Sequence, residues 1–231
     1  ETQVNDNSVM TLNLNGVLNE RGNASTPFDF LLSQADMQNY GLDDILSSIK
    51  KAKENENIKG IYLQCGVLAT GYASLQAIRD ALVDFKESGK FIVAYADHYM
   101  QGLYYVASVA DKVVLNPRGG VDWRGLAAAP TYYKDLLDKL GIEMQVFKVG
   151  TYKSAVEPYL FNEMSDANRE QINAYLQSIW GNITTAVAES RHLTQAQLTA
   201  AADSMMLLQP AEASIQQGLA DTLMYKSDMR S

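Results

Sequence analysis

The stretch GIYLQCGVLATGYASLQAIRDALVDFKESGKFIVAYA, residues 60–96, contains two short apolar runs separated by a segment of helical length. The runs GIYLQC (60–65) and FIVAYA (91–96) predict two buried strands, because they are short, apolar and contain aromatic and β-branched residues. Between them, apolar residues recur at helical spacing, at Leu75, Ile78, Leu82 and Phe85. Gly89 then follows, as glycine often does at a helix C-terminus. This order predicts a parallel pair of strands joined by a helical crossover.

The alternation of strands and helices extends along the chain in both directions. Residues 8–14 alternate apolar and polar side chains and predict a strand, whereas residues 15–40 are punctuated by Gly, Asn and Pro and predict a loop. The further elements are a helix from Leu42, a helix at 101–110, a strand end at 113–115, a helix at 131–140 and a strand at 144–149. Beyond Pro158 only helices are predicted, from Ser165, from near Thr194 and after Pro210.

These elements predict one α/β domain with a largely parallel sheet. The domain covers residues 1–231, with a βα core over about 8–160 and a helical C-terminal extension over about 165–231. No low-complexity linker divides the chain. No stretch approaches the roughly 18–20 apolar residues that a membrane helix needs. The first residues are polar and lack an initiating methionine, which favours a trimmed or processed chain.

Composition and charge exclude several classes of function. Apolar residues make up 47% of the 231, which is enough for a sizeable core. The net charge of −8 argues against binding to nucleic acid or to anionic lipid, because phosphate groups need basic partners. The single cysteine, Cys65, excludes an internal disulfide and a cysteine-rich zinc site, and no other metal site is recognised. Gly119 and Gly120 lack the spacing of a phosphate loop and predict a turn or a bulge.

The stretch VGTYKSAVEPYLF, residues 149–161, places Lys153 among small, aromatic and aliphatic residues. A lysine acts as a general base only when it is neutral, and burial in an apolar pocket favours the neutral form. Suitable walls for such a pocket are Tyr152, Ala155, Val156 and Tyr159. The alternative is a surface lysine whose stem lies on an aromatic ring.

Other groups are weaker candidates for chemistry. Ser154 is adjacent to Lys153, but neighbouring side chains point in different directions, so Ser154 is expected to cap or orient rather than to act as the nucleophile. Asp97 and His98 could belong to a triad, but the chain contains no G-x-S-x-G motif, and a hydrogen-bonded loop histidine is the better interpretation. Cys65 ends a predicted buried strand and is interpreted as a small core residue.

Together these segments resemble the signal peptide peptidase A family, also called protease IV, whose members are serine/lysine peptidases with the crotonase-like fold shared with the Clp protease. The resemblance covers most of the chain. Its most specific part is GTYKSAVEPY (150–159), and its weaker parts are QGLYYVAS (101–108), VLNP (114–117) and LLDKL (136–140). The resemblance implies a crotonase-like α/β fold and implies that Lys153 is the catalytic general base.

Two departures from the family pattern accompany this match. The resemblance places the nucleophilic serine at the start of a Ser-Gly-Gly-Tyr run, where this chain has Gln101 in QGLY (101–104). It places the oxyanion donors in a Pro-Gly-Gly turn, where this chain has VLAT (67–70). The chain therefore resembles the first, lysine-bearing half of the long tandem form, with the base but without the nucleophile.

The resemblance also implies expectations about the whole protein. Lys153 would serve a serine on a C-terminal half or on another subunit of a ring-like tetramer, and the substrates would be cleaved signal peptides and other hydrophobic peptides. The protein would be anchored in the bacterial cytoplasmic membrane, with this domain on the extracytoplasmic, periplasmic side. No cofactor is implied. Two alternatives stay open: a non-catalytic crotonase-like module that binds peptides or acts as an assembly scaffold, and an acyl-CoA enzyme, against which the VLAT segment counts.

Overall fold

The structure is a computed structural model that describes residues 4–21, 39–146 and 153–230. The chain divides into two compact units. The first unit comprises Glu1–Arg124 and Thr185–Ser231, and the second comprises Gly125–Thr184. The single domain expected from the sequence stays a prediction.

The first unit contains a six-stranded sheet, in which every strand pairing between described residues is parallel. The strand order is β2-β1-β3-β4-β5-β6. The strands are β1 (Ser8–Asn19), β2 (Asn39–Gly41), β3 (Ile58–Ala69), β4 (Phe91–Tyr99), β5 (Lys112–Val121) and β6 (Thr222–Leu223). The helices that connect them are α1 (Leu42–Glu54), α2 (Tyr72–Lys86) and α3 (Gln101–Ala107). The predicted α/β fold with a parallel sheet is confirmed.

The centre of the sheet is the strand pair predicted from residues 60–96. Gly60 is paired with Phe91, and the register continues without a shift to Cys65 and Ala96. The apolar face predicted for α2 is buried. It consists of Leu75, Ile78, Leu82 and Phe85. Buried aliphatic side chains of the two strands, such as Leu63 and Ile92, belong to the same core. The parallel strands and their crossover helix thus form as the apolar spacing predicts.

β1 is longer than predicted. It runs to Asn19 rather than to residue 14, and alternate residues stay buried as far as Leu18, within the first part of the predicted loop. A register shift between Leu14 and Gly16 interrupts its pairing with β3. Gly16 has a φ of 127°, which glycine adopts without a steric penalty. The Asn-Gly sequence that suggested a loop therefore marks an irregularity within a strand. Residues 22–38 of the predicted loop lie outside the described residues.

The C-terminal part of the chain is mostly helical, as predicted. Its helices are α6 (Asp166–Arg191), which Ser165 precedes, α7 (Gln195–Asp203), α8 (Ala211–Gln216) and two 3₁₀ turns at Met206–Leu208 and Lys226–Arg230. The short strand β6 was not predicted. It lies at the edge of the sheet, where the Asp221 side chain accepts a hydrogen bond from the Val113 N–H at 2.7 Å.

The second unit contains α4 (Lys134–Lys139), α5 (Glu157–Leu160) and the part of α6 up to Thr184. The predicted helix at 131–140 is shorter than expected, and it buries none of its residues. Residues 144–146 of the predicted strand have no regular secondary structure, and residues 147–149 lie outside the described residues. Within the described parts of both units, no helix combines the length and the apolar character needed to cross a membrane.

Candidate active site

Lys153 lies in the second unit, directly before the turn that leads into α5. Its side chain is exposed, and no described residue gives its ammonium group a hydrogen bond or an ion pair. Of the expected pocket walls, Ala155 and Tyr159 are exposed, Val156 is half-buried, and Tyr152 lies outside the described residues. The described residues of this chain alone therefore do not bury Lys153 in an apolar pocket.

The turn that follows Lys153 leads into α5, and α5 is tied to the residue before α4 by a backbone and a ring contact. The Glu157 N–H donates to the Ser154 carbonyl oxygen at 2.9 Å and closes the turn. The Tyr133 N–H donates to the Pro158 carbonyl oxygen at 2.7 Å, and the Tyr133 ring stacks on Tyr159 with ring centroids 5.9 Å apart. Ser154 therefore contributes its backbone to the turn, in agreement with an orienting role.

A buried carboxylate follows Lys153 four residues later. Glu157 is 1% exposed, and its Oε1 accepts a hydrogen bond from the Ser165 hydroxyl at 2.5 Å. Its Oε2 accepts from the Asn168 side-chain amide at 3.0 Å and from the Ser165 N–H at 3.3 Å. The Ser165 Oγ also accepts from the Asn168 N–H at 3.2 Å, so that it caps α6 as predicted. We refer to Glu157, Ser165 and Asn168 as the capping cluster.

Sequence reasoning missed this capping cluster. The Ser165 cap was predicted, but no standard signature links a serine cap to a glutamate eight residues before it. A cavity of about 540 Å³ is lined by Lys134 and residues 160–166, so that the cavity shares Ser165 with the cluster. The cavity wall includes the apolar side chains of Leu160, Phe161 and Met164.

Gln101 lies in the first unit, at the first residue of α3 and just beyond the carboxyl end of β4. The side chain is 7% exposed. Its Oε1 accepts a hydrogen bond from the Arg124 N–H at 3.0 Å, and its Nε2 donates to the Tyr72 hydroxyl at 3.0 Å. The next residue, Gly102, allows close packing, because a Cβ there would meet Leu75 Cδ1 at 2.7 Å. The amide of Gln101 thus connects two segments and offers no nucleophile.

The VLAT segment is not the turn that was expected. Residues 67–69 continue β3, and Leu68 and Ala69 pair with Gly16 and Val17 of β1. The expectation was wrong because it assumed that β3 ends near Cys65, whereas β3 runs to Ala69 and the extended β1 provides pairing partners for two of the four further residues. The Val67 N–H donates to the Asn15 side chain at 3.0 Å, so this donor is already occupied.

The structure gives no catalytic role to the remaining candidates, Asp97, His98 and Cys65. The Asp97 carboxylate accepts hydrogen bonds from the Tyr95 hydroxyl at 2.9 Å and from the Asn116 amide at 2.7 Å, and His98 is exposed on β4. Cys65 is buried, and burial raises the pKa of its thiol, which makes it unreactive.

Gly119 and Gly120 lie at a bulge, which is one of the two features, a turn or a bulge, that the sequence predicted there. Gly119 lies in β5 at the register shift between Ala96 and His98 of β4, where a Cβ would overlap the Asp97 carbonyl oxygen. Among the described residues, no group of His, Cys, Asp or Glu side chains could hold a metal ion.

Comparison with known proteins identifies the family. The model of peptidase family S49 matches residues 70–231. Protease 4 of Salmonella typhi is 40% identical over 171 residues, which cover 74% of this chain and 28% of that protein. Protease 4 of Haemophilus influenzae is 35% identical over 197 residues, which cover 83% of this chain and 32% of that protein. The chloroplastic serine protease SPPA of Arabidopsis thaliana is 28% identical over 188 residues, 81% of this chain and 26% of that protein.

The chain spans about three tenths of the length of the curated relatives it matches. The family model covers most of the chain, including the Gln101 segment and the Lys153 motif. The resemblance predicted from the sequence motifs is thereby confirmed, together with the crotonase- and Clp-like α/β fold that it implied. The chain belongs to peptidase family S49, the family of the Protease 4 and SPPA peptidases that it resembles.

Proposed function

We propose that this chain is the lysine-bearing part of a serine/lysine endopeptidase, in which Lys153 is the general base for a serine on a different piece of polypeptide. The observation that carries the proposal is the contrast between Lys153 and Gln101. Lys153 is exposed, and no described residue forms a hydrogen bond with its ammonium group. Gln101, at the expected position of the nucleophile, is buried, and both the oxygen and the nitrogen of its side-chain amide are hydrogen-bonded. A base without a nucleophile requires a partner to complete the site.

The exposure of Lys153 also supports a site in which this chain supplies the base and a partner supplies the serine. A lysine in water is protonated at neutral pH and cannot accept a proton. A partner that covers Lys153 with apolar surface favours the neutral amine. The exposed aromatic rings of Tyr159 and Phe161 lie close by in the sequence and suit such a covered site. The partner is proposed to be the C-terminal, serine-bearing half of the same protein, within a tetramer.

The proposed reaction is acyl transfer to serine followed by hydrolysis. Lys153 Nζ takes the proton of the partner's serine hydroxyl while the serine oxygen attacks the peptide carbonyl carbon. The peptide C–N bond then breaks, and Lys153 returns the proton to the leaving amine. A water molecule, deprotonated by Lys153, then attacks the acyl-serine ester; the ester C–O bond breaks, the acid is released, and Lys153 returns the proton to the serine oxygen. The oxyanion donors are proposed to come from the partner, because the Val67 N–H of this chain is bonded to Asn15.

The proposed substrates are cleaved signal peptides and other hydrophobic peptides, and the proposed location is the periplasmic side of the bacterial cytoplasmic membrane. The apolar cavity wall of Leu160, Phe161 and Met164 is compatible with such substrates. A similarity to proteins named Protease 4 and SPPA supports peptide hydrolysis as the reaction class.

A non-catalytic assembly or peptide-binding module is the second candidate. It is favoured by the same two departures, Gln101 in place of a nucleophile and an occupied Val67 N–H. An acyl-CoA enzyme on this fold needs free backbone donors over a thioester, and the Val67 segment counts against it. The two candidates differ in whether Lys153 affects turnover in the completed assembly.

Hydrolysis of a fluorogenic apolar peptide separates these candidates. The chain is assayed alone and mixed with the serine-bearing half, with Lys153→Ala and Lys153→Arg beside the unmodified chain. We expect hydrolysis only by the mixture, and a loss of about 10²–10⁴-fold in kcat for Lys153→Ala. Lys153→Arg should be equally inactive, because a guanidinium stays protonated. Lys139→Ala, an exposed lysine of the same unit, is the matched control and should have no effect.

Two results would contradict the proposal. Hydrolysis by the chain alone would mean that it contains a nucleophile of its own. A mixture that assembles by size-exclusion chromatography but never cleaves the peptide would favour the scaffold.

A further inference from the structure

The capping cluster surrounds the Glu157 carboxylate with hydrogen-bond donors. The Ser165 hydroxyl, the Ser165 N–H and the Asn168 side-chain amide all donate to it, at 2.5, 3.3 and 3.0 Å. Glu157 is 1% exposed, and Asn168 is also buried. A buried carboxylate is costly unless it is hydrogen-bonded, so this arrangement of donors holds a group that water does not reach.

The position of the cluster favours a negative charge. Ser165 directly precedes α6, a helix of 26 residues, and Asn168 lies in its first turn. The N-terminus of a helix carries a partial positive charge, which stabilises an anion there. The carboxylate of Glu157 therefore binds the start of α6 both through individual hydrogen bonds and through the field of the helix.

Glu157 also closes the turn that directly follows Lys153. The Glu157 N–H donates to the Ser154 carbonyl oxygen at 2.9 Å, and the Phe161 N–H donates to the Glu157 carbonyl oxygen at 2.9 Å. Lys153 itself is exposed, and none of the residues that the structure describes gives its ammonium group a hydrogen bond or an ion pair. The described feature that fixes the backbone next to Lys153 is the turn that follows it, and this turn is held on α6 by the Glu157 side chain.

We infer that Glu157 is a positioning residue for Lys153: its carboxylate fixes the turn at residues 154–157 to the N-terminus of α6 and so presents the lysine amine to the partner's serine. This inference rests on the proposed function. Displacement of a reacting group by about 1 Å can lower a rate about 10²-fold, so a relaxed turn affects turnover even when the fold persists. Substrate binding does not involve Glu157, because the side chain is buried.

The test is an exchange of the carboxylate and the amide within the capping cluster of the complete enzyme. Glu157→Gln places an amide N–H₂ group against the donors of Ser165 and Asn168. Asn168→Asp alone places a second carboxylate beside Glu157. In the double variant Glu157→Gln/Asn168→Asp, the two groups are exchanged, so the hydrogen bond between positions 157 and 168 is restored and one negative charge stays at the start of α6. Of the other two contacts, the side-chain carbonyl oxygen of the glutamine introduced at position 157 accepts from the Ser165 hydroxyl, whereas the longer contact with the Ser165 N–H is lost.

For Glu157→Gln we expect kcat to fall about 10–100-fold per assembled enzyme, with KM within about twofold of the unmodified value. We expect the double variant to recover a measurable part of the lost kcat, since residues of one hydrogen-bonded network are strongly coupled and the bond between positions 157 and 168 is restored. Glu143→Gln, which changes an exposed carboxylate of the same unit, is the control and should leave kcat unchanged. Assembled enzyme is quantified by size-exclusion chromatography, and stability by the thermal unfolding midpoint.

Several outcomes would overturn the inference. A normal kcat per assembled Glu157→Gln enzyme would do so, whether or not its unfolding midpoint falls, because a merely structural residue changes the amount of enzyme and not its turnover. Failure of the double variant to recover would also count against it. If Glu157→Gln does not assemble, Glu157→Asp decides the matter. It retains the charge but is one methylene shorter, so positioning predicts a lower kcat, and a normal kcat refutes it.

The lysine variant distinguishes this inference from the proposed function. If Lys153→Ala is inactive and Glu157→Gln has a normal kcat, only the positioning role fails. If Lys153→Ala retains activity, the general-base assignment fails, and the role of Glu157 fails with it.

Discussion

Arg79 of α2 donates a hydrogen bond to the Tyr105 carbonyl oxygen at 2.6 Å, and its guanidinium also lies 4.9 Å from the centre of the Tyr105 ring. Arg79 is 5% exposed. It further donates to the Ser108 hydroxyl, the Ala186 carbonyl oxygen and the Ser190 hydroxyl, at 2.8, 2.6 and 2.6 Å. Burial lowers the pKa of the guanidinium, although nearby groups oppose this effect. One buried arginine thus connects α2, α3 and the C-terminal part of α6.

Replacement of Arg79 should therefore destabilise the first unit strongly. Arg79→Met retains much of the length of the side chain but leaves the carbonyl oxygens of Tyr105 and Ala186 without their donor. We expect a loss of about 3 kcal/mol in the free energy of unfolding, since hydrogen bonds to charged groups contribute about 1.5–3 kcal/mol each. Urea denaturation followed by circular dichroism measures this loss. Arg118→Met, at an exposed arginine of the same unit, should change stability by less than about 0.5 kcal/mol.

Gln101→Ser tests whether a serine at this position is sufficient for hydrolysis. The substitution removes the hydrogen bonds to Arg124 and Tyr72, and we expect it to lower the free energy of unfolding by about 1–3 kcal/mol. We expect no peptide hydrolysis by the chain alone, because the Val67 N–H is bonded to Asn15 and does not stabilise an oxyanion. A fluorogenic peptide assay checks this expectation. Measurable hydrolysis by the variant would show that the chain already contains the rest of the site.

The ion pair of Arg191 and Asp221 should make stability depend on pH in the acid range. Arg191 donates to both carboxylate oxygens of Asp221, at 2.6 and 3.0 Å. Burial alone would raise the pKa of Asp221, but the hydrogen bonds from Arg191 and from the Val113 N–H hold it below its ordinary value. A carboxyl group with a lowered pKa stabilises the fold above its unfolded pKa of about 3.9, and this contribution is lost as the pH falls further.

Asp221→Asn should therefore be less stable than the unmodified chain at pH 7, by about 1 kcal/mol, because the pair is partly exposed. The difference should shrink as the pH falls below about 4, because Asp221 then becomes protonated in the unfolded state before it does so in the folded state, where its pKa is lower. Urea denaturation at pH 7, 5 and 3 measures the difference. An equal difference at all three pH values would contradict this account. Glu56→Gln, at an exposed carboxylate, should show little difference at any pH.

Gly119→Ala should be strongly destabilising, whereas Gly71→Ala should not. A Cβ at Gly119 would overlap the Asp97 carbonyl oxygen, which belongs to the backbone of β4 and cannot move aside easily. A Cβ at Gly71 meets no atom within 4 Å, and Gly71 has a φ of −86°. We expect a loss of about 2–4 kcal/mol for Gly119→Ala and a change of less than about 0.5 kcal/mol for Gly71→Ala. Thermal unfolding of both variants compares them, and equal midpoints would contradict the close approach of β4 and β5.

The parts of the fold that were predictable are those with a periodic pattern. The apolar face of α2, at Leu75, Ile78, Leu82 and Phe85, is visible as a helical period and is buried. The extension of β1 past Leu14 was hidden, because Asn15 and Gly16 have the composition of a turn although they form a strand irregularity. The two residues of β6 are too few to show any period, and they form a strand only because β5 provides an edge.

In the candidate site, too, some features were predictable from the sequence and others were not. The Lys153 motif and the absence of a serine at Gln101 are visible in the order of residues. The hydrogen bonds that Asn168 donates to Glu157 and that the Arg124 N–H donates to Gln101 join residues 11 and 23 positions apart, and no local pattern predicts them. The expected oxyanion turn was wrong because the end of β3 depends on the length of its neighbour β1.

By itself, the sequence determined the α/β class, the family and the motif that makes Lys153 a candidate base, because spacing and motif are properties of neighbouring residues in the chain. Only the tertiary structure decided that Lys153 is exposed, that Gln101 is buried and hydrogen-bonded to two segments, and that Glu157 binds Ser165 and Asn168 at the start of α6. The physical reason is that burial and hydrogen bonding depend on which distant segments the backbone brings together, and on which donors and acceptors then have partners.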